Sequence, residues 1–401
     1  MTVVRRSLSV EDLILSLFFL LGIYLCYDFI PEKGKNSFLI YTSFLLLSLC
    51  IVKLGQISFS SNFRNISYWF SWFVLGTLMA FRAQIGIDDI VYKITFENVA
   101  NLSLVEYFQI SDQEKGYLLV NYILYYLTNG NYNLAQACIT YSTFMLWGVA
   151  IKSQCKYNIS IPIVLLLLFT HYYFFVLSAG LVRIFIAIPI VLYSLQFIWE
   201  KEPKKFLFGI IVASLFHLSA LSMLLFLLFI WKDEYFYKHL ILFLAIVFVL
   251  LFASFIIVAR FLVPLLGDRY ADYGEISSFG ISIGNFDTIP ILLIGVFFKR
   301  YMNECSQIEQ RRYTIGLVLL SLSVVFSVLS SMVSLGRLIF YANLGLMIVL
   351  STIFGVRKNS GAVFCMKLIL IIYALFYLMH TTMLNPIQNE TLFPYKSFLF
   401  L

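Results

Sequence analysis

Charge is scarce in this chain of 401 residues, since only 12% of them are Asp, Glu, Lys or Arg and 61% are hydrophobic. Soluble domains are about 25% charged and about 45–50% apolar. The composition therefore excludes an ordinary soluble protein and predicts an all-α polytopic membrane protein. In a membrane protein the chain length does not indicate a number of soluble domains. We expect one membrane domain over residues 1–401.

Several signatures of soluble chemistry are also missing. The six cysteines are scattered and form no CxxC pair, so neither a disulfide framework nor a zinc site is expected. No GxxxxGK[ST] motif is present, which excludes a P-loop motor, and no inverted repeat is visible, which disfavours many transporter folds. The net charge of +7 resides in short basic segments typical of cytoplasmic loops. We expect no nucleic-acid partner, no metal and no cofactor.

What the chain has in abundance is apolar segments, and about 20 apolar residues cross a bilayer as a helix. Arg5 and Arg6 precede the first segment, and no small-residue cleavage site follows, which indicates an uncleaved span. Two segments are ambiguous: 116–129 is short, and 205–231 is either one span or a broken, re-entrant pair. In total we expect about 11–14 transmembrane or re-entrant helices. The clear spans lie near 11–30, 36–53, 66–82, 132–152, 158–179, 181–199, 239–262, 287–302, 313–333, 335–355 and 363–383.

Lys and Arg in short loops mark the cytoplasmic side of a membrane protein. By this rule the basic segments 1–6, 152–156, 200–205, 299–312 and 357–358 face the cytoplasm. Acidic residues dominate the first long loop, 83–131, which we expect to face outward and to contain a short helix. The loop 263–286 is predicted to be a second outer loop. This arrangement favours the re-entrant interpretation of 205–231.

The same orientation places Arg82, Arg183 and Arg337 at the ends of spans near the outer face. Arg within a bilayer costs about 2.5–3.5 kcal/mol at the centre and less near the interface. One interpretation is that each guanidinium snorkels to the headgroups. Alternatively, the arginines form a cluster that binds a phosphate or diphosphate, since each planar guanidinium bonds two oxygens. Arg183 and Arg337 also begin their helices, where free N–H groups favour anions.

Other polar residues leave two interpretations open. Asp88 and Asp89 lack a third nearby metal ligand. Loop solvation is the more common explanation for such a pair, and the alternative is that a carboxylate orients a sugar hydroxyl or an arginine. His217 lies inside an apolar segment and is either a general base or a helix-to-helix hydrogen bond. The outer tyrosines either stack on sugar rings or form an interfacial belt. These tyrosines are Tyr92, Tyr107, Tyr117, Tyr270 and Tyr273.

In order and spacing, several stretches resemble the Wzy-type polysaccharide polymerases, and more closely the EpsG-like branch. The most specific stretch is 181–221, in which an Arg opens a helix and a second helix ends in "FHLSAL". The others are "FRAQIGIDDIVY" (81–92), "EKGYLLVNYIL" (114–124), "DRYADY" (268–273), "SLGRLIFY" (334–341) and "FPY" (393–395).

The resemblance implies a membrane glycosyltransferase of GT-C-like architecture. It would join undecaprenyl-diphosphate-linked oligosaccharide repeat units at the periplasmic face of the bacterial inner membrane. The donor, the acceptor and membrane lipids are then its partners, and a chain-length regulator protein is a common further one. Two alternatives stay open: a flippase for the same lipid-linked sugar, and an O-antigen ligase-type transferase.

Carried over residue by residue, the resemblance also implies site roles. His217 and Asp88 are the predicted catalytic residues. The predicted diphosphate ligands are Arg82, Arg183 and Arg337, and the predicted sugar-binding residues are Tyr92, Tyr270 and Tyr341. Asp89 departs from the pattern, because an aromatic residue is commoner at that position, and this leaves open which carboxylate has the family's role.

Overall fold

The regular elements of this protein are helices. The computed structural model describes residues 9–30, 32–83, 86, 88–171, 180–227, 288–330, 336–356, 360–379 and 395–398. Within these ranges the only strand-like pairing is an isolated bridge between Arg82 and Ser397. Six helices in the described ranges are long and apolar enough to cross a membrane. The prediction of an all-α polytopic membrane protein is confirmed.

The helices follow the apolar segments closely. The first eight are α1 (Val10–Asp28), α2 (Glu32–Ile57), α3 (Ser61–Ala80), α4 (Asp89–Glu97), α5 (Leu104–Ile110), α6 (Lys115–Leu127), α7 (Tyr132–Gln154) and α8 (Ile161–Thr170). The others are α9 (Val182–Trp199), α10 (Pro203–Ser214), α11 (Ile289–Phe298), α12 (Gln307–Ser330), α13 (Gly336–Ala342), α14 (Leu344–Gly355) and α15 (Gly361–Met379). Among the described residues, 3₁₀ helices lie at Asn98–Asn101, Leu218–Leu227 and Lys299–Glu304.

Two compact units divide the chain. The first comprises Met1–Tyr193, Ile211–Leu218 and Arg357–Leu401, and the second comprises Ser194–Ile210 and Ser219–Val356. A single membrane domain over 1–401 stays a prediction.

Small residues allow close packing of helices α3 and α7 in the first unit. The Tyr68 hydroxyl of α3 donates to the carbonyl of Gly148 on α7 at 2.6 Å. A Cβ at Gly148 would lie 2.6 Å from the Trp69 ring, so a larger residue would push these helices apart. Helices in lipid associate through such small residues, because apolar burial gives little driving force there.

The predicted outer loop 83–131 contains α4, α5, α6 and a 3₁₀ helix instead of one short helix. A capping box fixes the start of α5: the Ser103 side chain accepts from the Glu106 N–H, and Glu106 accepts from the Ser103 N–H. Helix α6 has 13 residues. At 1.5 Å per residue it is about 20 Å long, less than the roughly 30 Å of a hydrocarbon core. The ambiguous segment 116–129 therefore does not span as a single helix.

The other ambiguous segment, 205–231, is interrupted. Helix α10 ends at Ser214, a turn follows, and a 3₁₀ helix begins at Leu218. His217 lies in the break and is only 3% exposed. The broken interpretation of this segment is therefore correct for residues 205–227. The predicted span 239–262 and the second outer loop 263–286, with Tyr270, lie outside the described residues.

In the first unit, two ion pairs connect helix α1 to helices α2 and α15. The Lys367 ammonium lies 2.7 Å from Glu11 Oε1, and the Lys367 side chain is 5% exposed. Lys53 lies 3.3 Å from Asp12 Oδ1. Removing one partner of a buried pair leaves an uncompensated charge, which costs more than the pair contributes.

We predict that Lys367→Met lowers the melting temperature of the purified protein by a few degrees, on the order of 2–6 °C, because Glu11 loses its counter-ion. The double variant Glu11→Gln/Lys367→Met should recover most of this loss. Lys205→Met is the matched control, since its pair with Glu202 is exposed and contributes little. Equal melting temperatures for the Lys367→Met and Lys205→Met variants would contradict the prediction.

Candidate functional site

Arg82 follows the end of α3 and is almost completely buried, with 1% exposure. Its Nη1 donates to the carbonyl of Met79 at 2.7 Å and to Thr140 Oγ1 at 3.1 Å. Residues 395–398 hold the backbone on both sides of it. The Ala83 N–H donates to the Lys396 carbonyl at 3.0 Å, and the Phe398 N–H donates to the Phe81 carbonyl at 3.2 Å. The arginine predicted at a span end is thus fixed inside the protein and does not snorkel.

The Arg82 side chain lines a small cavity within the first unit, about 10 Å³ in volume. The Arg82 Nε and the Asn121 Nδ2 are buried and have no hydrogen-bond partner among the described residues. Unsatisfied buried donors are rare in folded proteins and point to a missing acceptor. We call this space the Arg82 cavity. Its lining is Arg82, Tyr92, Phe96, Tyr117, Asn121, Tyr132, Ala135, Gln136, Ile139, Thr140 and Val182.

The two adjacent acids differ in their surroundings. Asp89 is buried, and its Oδ1 accepts from the Tyr132 hydroxyl at 2.9 Å and from Gln136 Nε2 at 3.2 Å. Asp88 precedes α4, is half-buried, and makes no side-chain capping hydrogen bond. Asp89 therefore orients two side chains that line the Arg82 cavity. The catalytic role of Asp88 stays a prediction.

Tyr92 connects the Arg82 cavity to Arg183. It is 4% exposed, and its ring lies 5.5 Å from that of Tyr117 in an edge-to-face arrangement. Burial raises the pKa of the Tyr92 hydroxyl, and the nearby charge of Arg183 opposes that effect only in part. Tyr92 is therefore a neutral phenol at physiological pH, able both to donate and to accept a hydrogen bond.

Arg183 lies in the first turn of α9, as predicted, and forms an ion pair with Glu114. Both side chains are mostly buried, with 11% exposure for Arg183 and 15% for Glu114. The Arg183 Nε has no hydrogen-bond partner among the described residues. Burial raises the pKa of the Glu114 carboxyl, but the charges of Arg183 and His217 outweigh it, so the pKa lies below its ordinary value. Glu114 is therefore a carboxylate at neutral pH.

Glu114 also contacts the turn that carries His217. The Leu218 N–H donates to Glu114 Oε1 at 3.4 Å. In addition, the Gly116 N–H donates to the Leu215 carbonyl at 2.9 Å. A Cβ at Gly116 would lie 2.7 Å from that carbonyl oxygen, so only glycine allows this approach. The start of α6 thus places His217 and Arg183 on either side of one carboxylate.

Five predicted site residues lie in the first unit: Arg82 and Tyr92 in the cavity wall, Arg183 and His217 beside Glu114, and Asp88 at the start of α4. Arg337 and Tyr341 lie on α13 in the second unit, half-buried and buried respectively. Their convergence with the other arginines stays a prediction, and Tyr270 lies outside the described residues.

Several residues of this region were not predicted. Tyr132, Gln136 and Thr140 follow one another at four-residue spacing on α7, and the unpredicted Asn121 follows Tyr117, one of the tyrosines named from the sequence, at the same spacing on α6. Such spacing puts side chains on one helix face. A polar stripe inside an apolar span is a signal for a buried site that the sequence did contain. Glu114 had no such signal, because its ion pair joins residues far apart in the chain.

Comparison with known proteins gives one match. The EpsG family matches residues 65–397, which is more than half of the chain. No curated protein and no solved structure matches. Within the part of the chain that the structure describes, no group of three or more His, Cys, Asp or Glu residues could hold a metal ion.

We predict that Gly116→Ala destabilises the protein by about 1–3 kcal/mol, since the new Cβ displaces the backbone of the His217 turn. The measurement is thermal unfolding in detergent. Gly361→Ala is the matched control, because a Cβ there meets nothing within 4 Å, and alanine is the better helix former. A Gly116→Ala variant as stable as Gly361→Ala would show that the contact with Leu215 is absent.

A second prediction concerns Glu114, whose pKa lies below the ordinary value of 4.5. The ion pair stabilises the fold above that value and is lost as pH falls through the lower pKa of the folded state. Wild type should therefore melt roughly 1–5 °C above Glu114→Gln at pH 7, and the difference should shrink at pH 4. Glu97→Gln, in an exposed pair with Lys93, should change little at either pH. A wild-type advantage that is the same at both pH values would argue against the pair.

Proposed function

Since the chain belongs to the EpsG family, whose members are polysaccharide polymerase-like membrane proteins, we propose that it is a membrane glycosyltransferase that lengthens a bacterial surface polysaccharide. Its donor and acceptor are oligosaccharide repeat units on undecaprenyl diphosphate. It acts in the inner membrane, with the site open to the periplasm. The family match over residues 65–397 supports the assignment as a polysaccharide polymerase-like membrane protein. Arg183 and its neighbours support the proposal that the donor is a lipid diphosphate.

Arg183 has the properties that a diphosphate ligand needs. Its guanidinium pairs with Glu114, and its Nε has no hydrogen-bond partner in the part of the chain that the structure describes. It also begins a helix whose free N–H groups favour an anion. A lipid diphosphate presents its charge at the membrane interface, with its tail in the hydrocarbon. We propose that Arg183 binds the donor's diphosphate and stabilises the charge that grows on it as it leaves.

The transfer is a substitution at the anomeric carbon of the donor. A hydroxyl of the acceptor's terminal sugar forms a bond to that carbon, and the bond from the carbon to the diphosphate oxygen breaks. The electron pair leaves with undecaprenyl diphosphate, and the hydroxyl proton passes to a base. We propose His217 or Asp88 for the base, with Glu114 positioning the turn that carries His217.

The test is complementation of a gene deletion in the bacterium that carries the gene, with surface polysaccharide resolved on a gel. The deletion should replace the ladder of long chains by single repeat units. Arg183→Ala should fail to restore the ladder although the protein is present in the membrane. Arg183→Lys should restore it in part, because an ammonium lacks the planar fork of the guanidinium. Arg64→Ala is the control, since Arg64 binds the carbonyls of Ser58 and Phe59.

The same gel separates the alternatives. Loss of a flippase would remove even single repeat units from the surface, and loss of a ligase would leave long chains on the lipid carrier. A normal ladder with Arg183→Ala would contradict the proposed mechanism.

A further inference from the structure

One face of helix α6 packs on the first unit, and the opposite face is apolar and exposed. The exposed side chains recur at spacings of three and four residues, so they form one stripe along the helix. This α6 stripe consists of Leu119, Ile123, Tyr126 and Leu127, which are 42% to 73% exposed. Apart from Lys115 at its first residue, α6 contains no charged residue. Its outward face therefore has almost nothing that water would solvate well.

Helix α4, which contacts α6, has an exposed apolar edge as well. Ile90, Val91 and Ile94 are 53% to 71% exposed. Lys93 and Glu97 form an exposed ion pair beside them. A helix with one apolar edge and one charged edge is typical of the interface between lipid and water, where it lies in the plane of the membrane.

The spanning helix α1 provides an internal standard for side chains that face lipid. Its Leu13, Leu17 and Leu21 recur every four residues and are 55% to 58% exposed. The α6 stripe and the apolar edge of α4 have the same chemistry and a similar exposure. Contiguous apolar surface of this kind is uncommon on a face that meets water, and it marks contact with a membrane or a protein.

A short connection keeps the end of α6 near the boundary of the membrane. Helix α7 is long and apolar enough to span, and it begins at Tyr132, while α6 ends at Leu127. The four residues between them reach at most about 14 Å. Asn129 and Gly130 have φ angles of 50° and 75°, and the Gly130 N–H donates to the Tyr125 carbonyl at 2.8 Å, which fixes the reversal. The end of α6 therefore lies near the level at which α7 enters the bilayer.

We propose that α4 and α6 lie in the membrane interface, with Ile90, Ile94 and the α6 stripe against the hydrocarbon of the lipids. The partner of this surface is membrane lipid, so part of the predicted outer loop 83–131 is embedded and not surrounded by water. Tyr126 fits this position, because tyrosine rings are enriched at the boundary between lipid and water. The inference goes beyond the proposed function and does not depend on it.

This placement also affects the surroundings of Arg183. Its ion-pair partner Glu114 directly precedes α6. With α6 in the interface, the pair lies near the level of the lipid headgroups, so a lipid-linked molecule would approach it along the membrane plane.

The test is photo-cross-linking of the full-length protein in vesicles of phosphatidylethanolamine and phosphatidylglycerol. In separate variants, a benzophenone amino acid replaces Ile123 of α6 or Ile94 of α4. On irradiation the benzophenone bonds covalently to C–H groups that touch it. Mass spectrometry then shows whether the product is a lipid adduct, a cross-linked second copy of the chain, or neither.

The yield of lipid adduct at Ile123 and Ile94 should be within about twofold of that at Leu17 on α1, because all three positions face hydrocarbon. It should be roughly tenfold above the yield at Asn303, since lipid tails avoid polar turns. Asn303 is the control because it is an exposed polar residue in the 3₁₀ helix Lys299–Glu304.

Two results would overturn the proposal. Cross-linking of Ile123 and Ile94 chiefly to a second copy would make this surface a contact between chains. Lipid yields no higher than that at Asn303 would place both helices in water. Leu127 and Ile90 are second positions on the same two helices, and they decide the question where a first variant does not fold.

Discussion

The ion pair between Arg183 and Glu114 is the interaction on which the candidate site depends. A guanidinium at the start of an apolar helix needs a counter-ion, because an unpaired buried charge costs several kcal/mol. Glu114 supplies it and also accepts from the backbone of Leu218. One carboxylate thereby joins the segment before α6, the start of α9 and the turn that carries His217. Three parts of the chain that are far apart in sequence are held together at one point.

Around this point the chain separates two kinds of polar surface. Beside Glu114 lies Arg183, whose buried Nε has no hydrogen-bond partner among the described residues. On the other side of Tyr92 lies the small Arg82 cavity, where Asp89 is close enough to Arg82 for their charges to interact.

The sequence was sufficient to predict a membrane protein and most of its helices, because an apolar stretch of about 20 residues has few other stable states. It also placed Arg183 at a helix start and identified the break near His217 as an alternative. It predicted one short helix within 83–131 and missed the others, since amphipathic segments of this length are set by packing. Nor did it predict Glu114, Asn121 or the burial of Asp89. Such contacts depend on which helices become neighbours in the fold. A single sequence contains little information about contacts between distant segments. The stripe Tyr132, Gln136 and Thr140 was readable in principle, because its four-residue spacing is a local property.

A direct test of the central claim is an experimental structure of the protein in lipid nanodiscs, determined by cryo-electron microscopy with a bound lipid-linked repeat unit. We expect the diphosphate oxygens within hydrogen-bond distance of the Arg183 guanidinium. A diphosphate that binds elsewhere and does not touch Arg183 would contradict this arrangement.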